Sequence, residues 1–174
     1  FDGDLVRCYL KSMDDLKLDY VEIGFRSVKN NSYKGPFAYS TDDYLETLDI
    51  PKGLKGKIGV MINGSEISDK QNQKKVLQTL FNASKNSPVS LVRIACHINE
   101  FKDCLPASNY LKELGYLVGF NIMQVADRTE QEIISLSSEA SKYPIDVLYF
   151  ADSMGSLTPE KTRILIKAFK KGWK

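Results

Sequence analysis

The stretch LVRIACHINEFKDCLPASNYLKELGYLVGFNIM, residues 91–123, decides the fold. It begins and ends with nearly continuous apolar runs, at 91–96 and 116–123, whose lengths and compositions are typical of buried strands. A helical pattern lies between them and ends near Leu114 and Gly115. A strand, a helix and a second strand within about 30 residues are typical of a βαβ unit, in which the two strands are parallel.

The same alternation continues along the rest of the chain. Further strands are predicted at 20–25, 57–62 and 146–151. Asp4 is predicted to cap the first helix, Thr129 with Glu132 forms a capping box, and Thr158 followed by Pro159 begins the last helix. The sequence therefore predicts five strands, with helices before, between and after them.

Five parallel strands with helical connections fit an open doubly wound sheet or part of a (β/α)₈ barrel. The open sheet would be favoured by a glycine-rich phosphate loop, but neither GxGxxG nor GxxxxGK[ST] occurs. A complete barrel needs eight strands and about 250 residues. We therefore predict one α/β domain, residues 1–174, that forms the central part of a (β/α)₈ barrel with about five of its eight strands present.

Composition and charge narrow the classes of function. The 24 basic and 22 acidic residues are scattered along the chain and give a net charge of +2, so no nucleic-acid or membrane partner is expected. No apolar run approaches the roughly 18 residues that span a bilayer, and no signal-peptide pattern is present. The three cysteines have no CxxC spacing, which favours a reducing cytoplasm over a disulfide or zinc framework.

Barrel enzymes carry their active sites at the carboxyl ends of the strands and in the loops that follow. The polar residues predicted to lie there, or on the strands leading there, are Glu22, Arg26, His97, Asn121, Gln124, Asp152 and Ser153. Charged and amide side chains that converge on one mouth can orient an anionic, oxygen-rich small molecule. A small-molecule substrate is therefore expected.

Some of these residues also have structural interpretations. Arg26 can bind a carboxylate or form a surface salt bridge. His97 is the only histidine, and it can be a hydrogen-bonded structural residue instead of a ligand. Asn121 and Gln124 are three residues apart, so on a continuing strand they face opposite sides and at most one of them points inward.

Five stretches together match one enzyme superfamily. They are VEIGFRS (21–27), GPFAY (35–39), LVRIACHINEF (91–101), LKELGYLVGFNIMQVADRTEQE (111–132) and YPIDVLYFADSMGSLTPE (143–160). In this order, which covers nearly the whole chain, they resemble the aldolase branch of the 3-hydroxy-3-methylglutaryl-CoA lyase superfamily, and most nearly the 4-hydroxy-2-oxovalerate aldolases. The resemblance implies a carbon-carbon lyase that cleaves or forms a bond in a 4-hydroxy-2-oxo acid through a pyruvate enolate.

The resemblance also implies a divalent cation, Mn²⁺ or Mg²⁺, which acts as a Lewis acid on the 2-oxo acid. In that family its ligands are an aspartate of an Arg-Asp-Gly turn and a His-x-His pair, and neither motif occurs in this sequence. The metal ligands, the catalytic arginine and the histidine base are therefore expected outside these 174 residues. The segment alone is expected to be inactive.

Three residues carry over from the family. Ser153, in ADSMG, matches the position that hydrogen-bonds the 2-oxo acid, and Asp152 matches an acidic residue of the superfamily. Glu22 matches the acid of the second barrel strand, which can pair with the active-site arginine. From the residues alone, Ser153 can be a turn residue and Asp152 an N-cap or a partner of a ligand. Glu22, in an apolar strand, is expected to have a partner in either case.

The sequence departs from the 4-hydroxy-2-oxovalerate aldolases at two places. Gly24 to Ser27 replace a His-Gly pair, and Gln124 to Ala126 replace a serine and a histidine, which alters the pocket for the aldehyde-derived part of the substrate. Two alternatives stay open: a Claisen-type acyl-CoA condensing synthase or lyase on the same barrel, and a non-catalytic barrel that serves as a binding module. A homo-oligomer is compatible with each.

Overall fold

The computed structural model describes residues 2–32 and 34–174. Phe1 and Tyr33, which belong to the predicted domain, lie outside the described residues. The strands are β1 Val21–Phe25, β2 Ile58–Asn63, β3 Val89–Cys96, β4 Leu117–Met123 and β5 Val147–Ala151. The α-helices are α1 Gly3–Asp15, α2 Asp42–Glu46, α3 Gln73–Leu80, α4 Ile98–Cys104, α5 Ala107–Glu113, α6 Glu130–Ala140 and α7 Pro159–Gly172.

The described strands form one parallel sheet in the order β1-β2-β3-β4-β5. The prediction of an α/β fold with a five-stranded parallel sheet is therefore confirmed. A doubly wound sheet reverses its strand order at a switch point, and no such reversal occurs among the described strands. Because parallel crossovers are right-handed, strands that are added in a single direction place their connecting helices on one face of the sheet.

The side chains that alternate toward the helices form the core. Val60, Ile94 and Phe120, from three neighbouring strands, are all fully buried. Phe101 of α4 packs its ring edge-on against Phe120, with 5.8 Å between the ring centroids. Each fully buried side chain of this size contributes about 1.5–3 kcal/mol to folding, so this face supplies much of the stability.

The positions that alternate to the other side form what we call the open face. Its register pairs are Glu22 with Gly59, Arg93 with Gly119, and Asn121 with Tyr149. In contrast to the apolar core, this face carries an acid, an arginine, an amide and a phenol.

Local sequence signals explain most helix ends, with one correction. The capping box of Thr129 with Glu132 and the cap by Thr158 are confirmed. The first helix is capped by Asp2 and not by Asp4, because the Asp2 carboxylate accepts the Asp4 backbone N–H at 2.9 Å. Asp4 instead lies in the first turn, where its negative charge interacts favourably with the positive end of the helix dipole.

The single helix predicted between β3 and β4 is divided into α4 and α5. Pro106 lies between them and has no backbone N–H to continue the helical hydrogen bonds. Separately, no helix among the described residues is long and apolar enough to cross a membrane.

Candidate functional site

His97 and Gln124 meet at the carboxyl edge of the sheet. His97 follows β3 and Gln124 follows β4, and the Nδ1 of His97 lies 3.3 Å from the Oε1 of Gln124. Gln124 has a φ of 60°, a left-handed conformation that is uncommon for residues other than glycine and that clusters at functional sites. Glu100 accepts the His97 backbone N–H at 3.2 Å and so has the role of a helix-capping acid.

Asp152 organises the loop that follows β5. Its carboxylate accepts the backbone N–H of Leu157 at 2.8 Å and that of Ser156 at 3.0 Å. These hydrogen bonds lower the pKa of the Asp152 carboxyl, because they stabilise its charged form. Ser153 is exposed at the start of this loop. The Asp152 contacts are those of a loop-capping residue and leave the side chain of Ser153 accessible.

Arg26 is buried on the side away from the open face. Its side chain is 1% exposed, and it donates to the Asp42 carboxylate at 2.7 Å and to the Ser40 carbonyl at 2.8 Å. Its guanidinium also lies 5.2 Å from the centre of the Phe81 ring. The sequence allowed a surface salt bridge for Arg26. The arginine does form a salt bridge, but the bridge is buried beneath the segment that leads into α2 and is not at the surface.

Glu22 has its partner within the chain. Arg93 donates its Nε to the Oε2 of Glu22 at 2.6 Å and its Nη2 to the Oε1 at 2.5 Å, which is a bidentate pair that bridges β1 and β3 across β2. The hydrogen bonds to Glu22 raise the pKa of the Arg93 guanidinium above its usual value. The side chains are 31% exposed for Glu22 and 22% exposed for Arg93, so the pair is only partly buried.

The Tyr149 ring packs over Gly119 in the middle of the open face. A Cβ added at Gly119 would lie 2.7 Å from the Cε2 atom of Tyr149, so the phenol ring occupies the space of the absent side chain. Because Gly119 is the register partner of Arg93, the ring lies beside the arginine. Asn121, the register partner of Tyr149, is 8% exposed on the same face.

A cleft of about 420 Å³ lies at the carboxyl ends of β1 and β2. Phe25, Phe37 and Pro36 form apolar walls, while Lys34 and Asn63 add polar groups. Its volume falls in the range of about 300–1,000 Å³ that is typical of small-molecule sites.

Glu66 lies next to this cleft, because it binds the backbone of Val28, which follows the lining residue Ser27. Its Oε1 accepts the backbone N–H of Val28 at 3.3 Å, while its Oε2 is buried without a hydrogen bond among the described residues. Burial raises the pKa of the Glu66 carboxyl, because the charged form loses its hydration.

No three histidine, cysteine, aspartate or glutamate side chains among the described residues are grouped so that they could hold a metal ion. Residues 2–32 and 34–174 therefore do not supply a site for the cation that the resemblance implies. The ligands expected outside the chain stay a prediction.

The structure brings some of the predicted residues together and separates others. His97 and Gln124 are in contact, Glu22 and Asn121 share the open face, and Arg26 is turned away from it. Arg93 and Tyr149 were missed. The sequence does contain a signal for them. Successive side chains of a strand point to opposite faces, and Arg93 and Tyr149 are at positions of apolar strands that point to the face opposite the core.

Comparisons with known proteins do not assign the chain to a family. No protein-family model matches the chain, and a search of curated proteins finds no significant match.

Proposed function

We propose that the five strands form one side of a (β/α)₈ barrel, which catalyses cleavage or formation of a carbon-carbon bond in a 4-hydroxy-2-oxo acid. The observation that carries the proposal is an unbroken sequential parallel sheet whose open face is polar at its centre. In a barrel this face lines the interior and leads to the mouth at the carboxyl ends of the strands, where barrel enzymes bind substrate.

Apolar clefts beside both outer strands support further barrel units. The cleft beside β1 has a volume of about 340 Å³ and the cleft beside β5 about 210 Å³. They are lined mainly by the apolar side chains Leu5, Val6, Tyr9 and Ile23 next to β1, and Leu148, Phe150, Ile166 and Trp173 next to β5. Neighbouring βα units in a closed barrel would cover such surfaces and pair the outer strands.

The residues of this chain would bind and orient the substrate. His97 and Gln124 lie at the carboxyl edge of the sheet as a contacting pair of hydrogen-bonding groups, and Asn121 projects from β4 onto the open face. Aldol cleavage transfers the proton of the 4-hydroxyl to a base and breaks the C3–C4 bond, leaving its electron pair on C3 as the enolate. Hydrogen-bond donors aimed at the enolate and carboxylate oxygens favour that charge distribution.

In the proposed enzyme a divalent cation, Mn²⁺ or Mg²⁺, would supply Lewis-acid stabilisation of the negative charge that develops on the 2-oxo acid. Its ligands would come from segments outside these 174 residues.

The test is a pyruvate-release assay on the full-length protein with 4-hydroxy-2-oxovalerate and Mn²⁺. We expect turnover, and we expect Gln124→Ala to lower kcat/KM by about tenfold, as for loss of one hydrogen bond to substrate or to its orienting partner. Gln78→Ala is the matched control, because Gln78 is exposed and lies in the last turn of α3, away from the loops that follow the strands.

The alternatives give different outcomes in the same experiment. Consumption of an acyl-CoA without pyruvate release would favour a Claisen-type enzyme. If no metal-dependent turnover occurs with any 4-hydroxy-2-oxo acid or acyl-CoA, the catalytic proposal is overturned and a binding module is favoured.

A further inference from the structure

We propose that Arg93, Asn121 and Tyr149 form a carboxylate-binding site on the open face, and that Glu22 is the positioning residue that orients Arg93. This inference rests on the proposed function and names the residues that would hold the carboxylate of the 2-oxo acid. The three donors come from neighbouring strands β3, β4 and β5.

Arg93 has hydrogen-bonding capacity left after it binds Glu22. The bidentate pair uses Nε and Nη2, and the Nη1 group makes no hydrogen bond to any described residue. An arginine carries five N–H donors in a fixed plane, so a guanidinium held through one edge presents its remaining N–H groups in a defined direction. Glu22 thus fixes where the free donors of Arg93 point.

Asn121 and Tyr149 complete the donor set. Neither side chain makes a hydrogen bond within the described part of the chain, although Asn121 is 8% exposed. Its amide atoms are not among the buried groups that lack a partner, so the amide reaches solvent on the open face, where it can donate to a ligand. The Tyr149 ring lies over Gly119, directly opposite Arg93 in the register, so its phenol is on the same part of the face.

The chemistry of this set favours a carboxylate. An ionised carboxylate is an acceptor-only group with room for several donors, and guanidinium, amide and phenol groups all donate. A cation is not favoured, because both oxygens of Glu22 are already used by Arg93. The competing interpretation is that the Glu22–Arg93 pair only ties β1 to β3.

The experiment measures binding of pyruvate to the full-length protein by NMR titration, with pyruvamide as the uncharged isostere. We expect Arg93→Lys to weaken pyruvate binding by about tenfold, because lysine keeps the charge but loses the planar fork. Arg163→Lys is the matched control, because Arg163 forms an exposed pair with Glu160 on α7. Pyruvamide binding is expected to be weak and equal in all variants.

Three further variants separate an effect on binding from an effect on structure. Gly119→Ala should displace the Tyr149 ring and weaken pyruvate binding, while Tyr149→Phe should weaken it by removing only the hydroxyl. Glu22→Gln should weaken it through loss of the orientation of Arg93. Thermal unfolding of each variant verifies that it is folded.

The proposal is overturned if Arg93→Lys and Arg163→Lys bind pyruvate equally, or if Glu22→Gln lowers only the melting temperature. Failure of the carboxylate-binding site can be distinguished from failure of the proposed function. Pyruvate binding that depends on Arg93, without turnover of any 4-hydroxy-2-oxo acid, would support this site and contradict the aldolase. Turnover that Arg93→Lys leaves unchanged would support the aldolase and contradict this site.

Discussion

Two arginine–carboxylate pairs in this protein have the same chemistry and opposite surroundings. In the pair of Arg26 with Asp42, the side chains are 1% and 11% exposed, and the carboxylate also accepts Ser87 Oγ at 2.6 Å and Asn82 Nδ2 at 3.0 Å. In the pair of Arg93 with Glu22, the side chains are 22% and 31% exposed, and the two side chains hydrogen-bond only each other among the described residues.

The comparison indicates that the two pairs have different roles. A buried charge must be fully compensated, so the network around Arg26 is a structural unit with no free donor directed at a ligand site. A partly exposed guanidinium that is bound through one edge keeps donors available. Burial and the number of partners, more than residue type or nearness to a strand end, therefore separate the structural arginine from the candidate binding one.

The largest effect on the free energy of unfolding is expected from Asp42→Ala. Removing this carboxylate leaves the Arg26 guanidinium buried without its counter-charge, which costs about 3–5 kcal/mol of unfolding free energy. Urea denaturation monitored by circular dichroism measures the loss. Asp43→Ala, in the same helical turn but exposed, is the control, with an expected cost under about 1 kcal/mol. Equal losses in the two variants would remove the distinction between the pairs.

A smaller effect on stability is expected from Glu22→Ala. Arg93 is partly exposed and can be solvated after the change, so the cost should be about 1 kcal/mol or less by urea denaturation. A loss as large as that of Asp42→Ala would mean that this pair is also structural, and it would weaken the inferred role of Arg93 in binding.

The smallest effect concerns Glu66, whose carboxyl oxygen lacks a partner, unlike the carboxylates of both pairs. Burial raises the pKa of this group in the folded state, so its contribution to stability is present below the unfolded pKa and is lost as the pH rises through the folded pKa. We expect Glu66→Gln to be more stable than the parent protein at pH 7, and this advantage to disappear below about pH 4. Thermal melts over this range measure it, and an advantage that grows on acidification would contradict the assignment.

Much of the fold could be predicted from the sequence. The five apolar runs became five strands within one or two residues of their predicted ends, because buried parallel strands need continuous apolar character and are bounded by turn residues. The Thr129 and Thr158 caps were also predictable, since a cap depends on side chains within three residues of the helix start. The break at Pro106 was overlooked despite a local signal.

The candidate site was predicted less completely. The contact of His97 with Gln124 joins two strand ends that sequence periodicity located, but the partners of Arg26 and Glu22 lie 16 and 71 residues away along the chain. Arg26 follows a strand end as a substrate-binding residue would, yet its side chain is directed toward α2. The pairing of β1 with β2 also shifts its register between Glu22 and Gly24, which changes the positions that face each side, and strict alternation does not predict this shift.

The sequence by itself determined the strands, their parallel pairing and the set of polar residues near the strand ends, because these depend on local periodicity and on the handedness of short connections. Only the tertiary structure decided that Arg26 is buried with Asp42 and that Arg93 pairs with Glu22 beside Tyr149 and Gly119. These contacts depend on strand register and on the absence of one side chain. Both are properties of packing between segments distant in sequence.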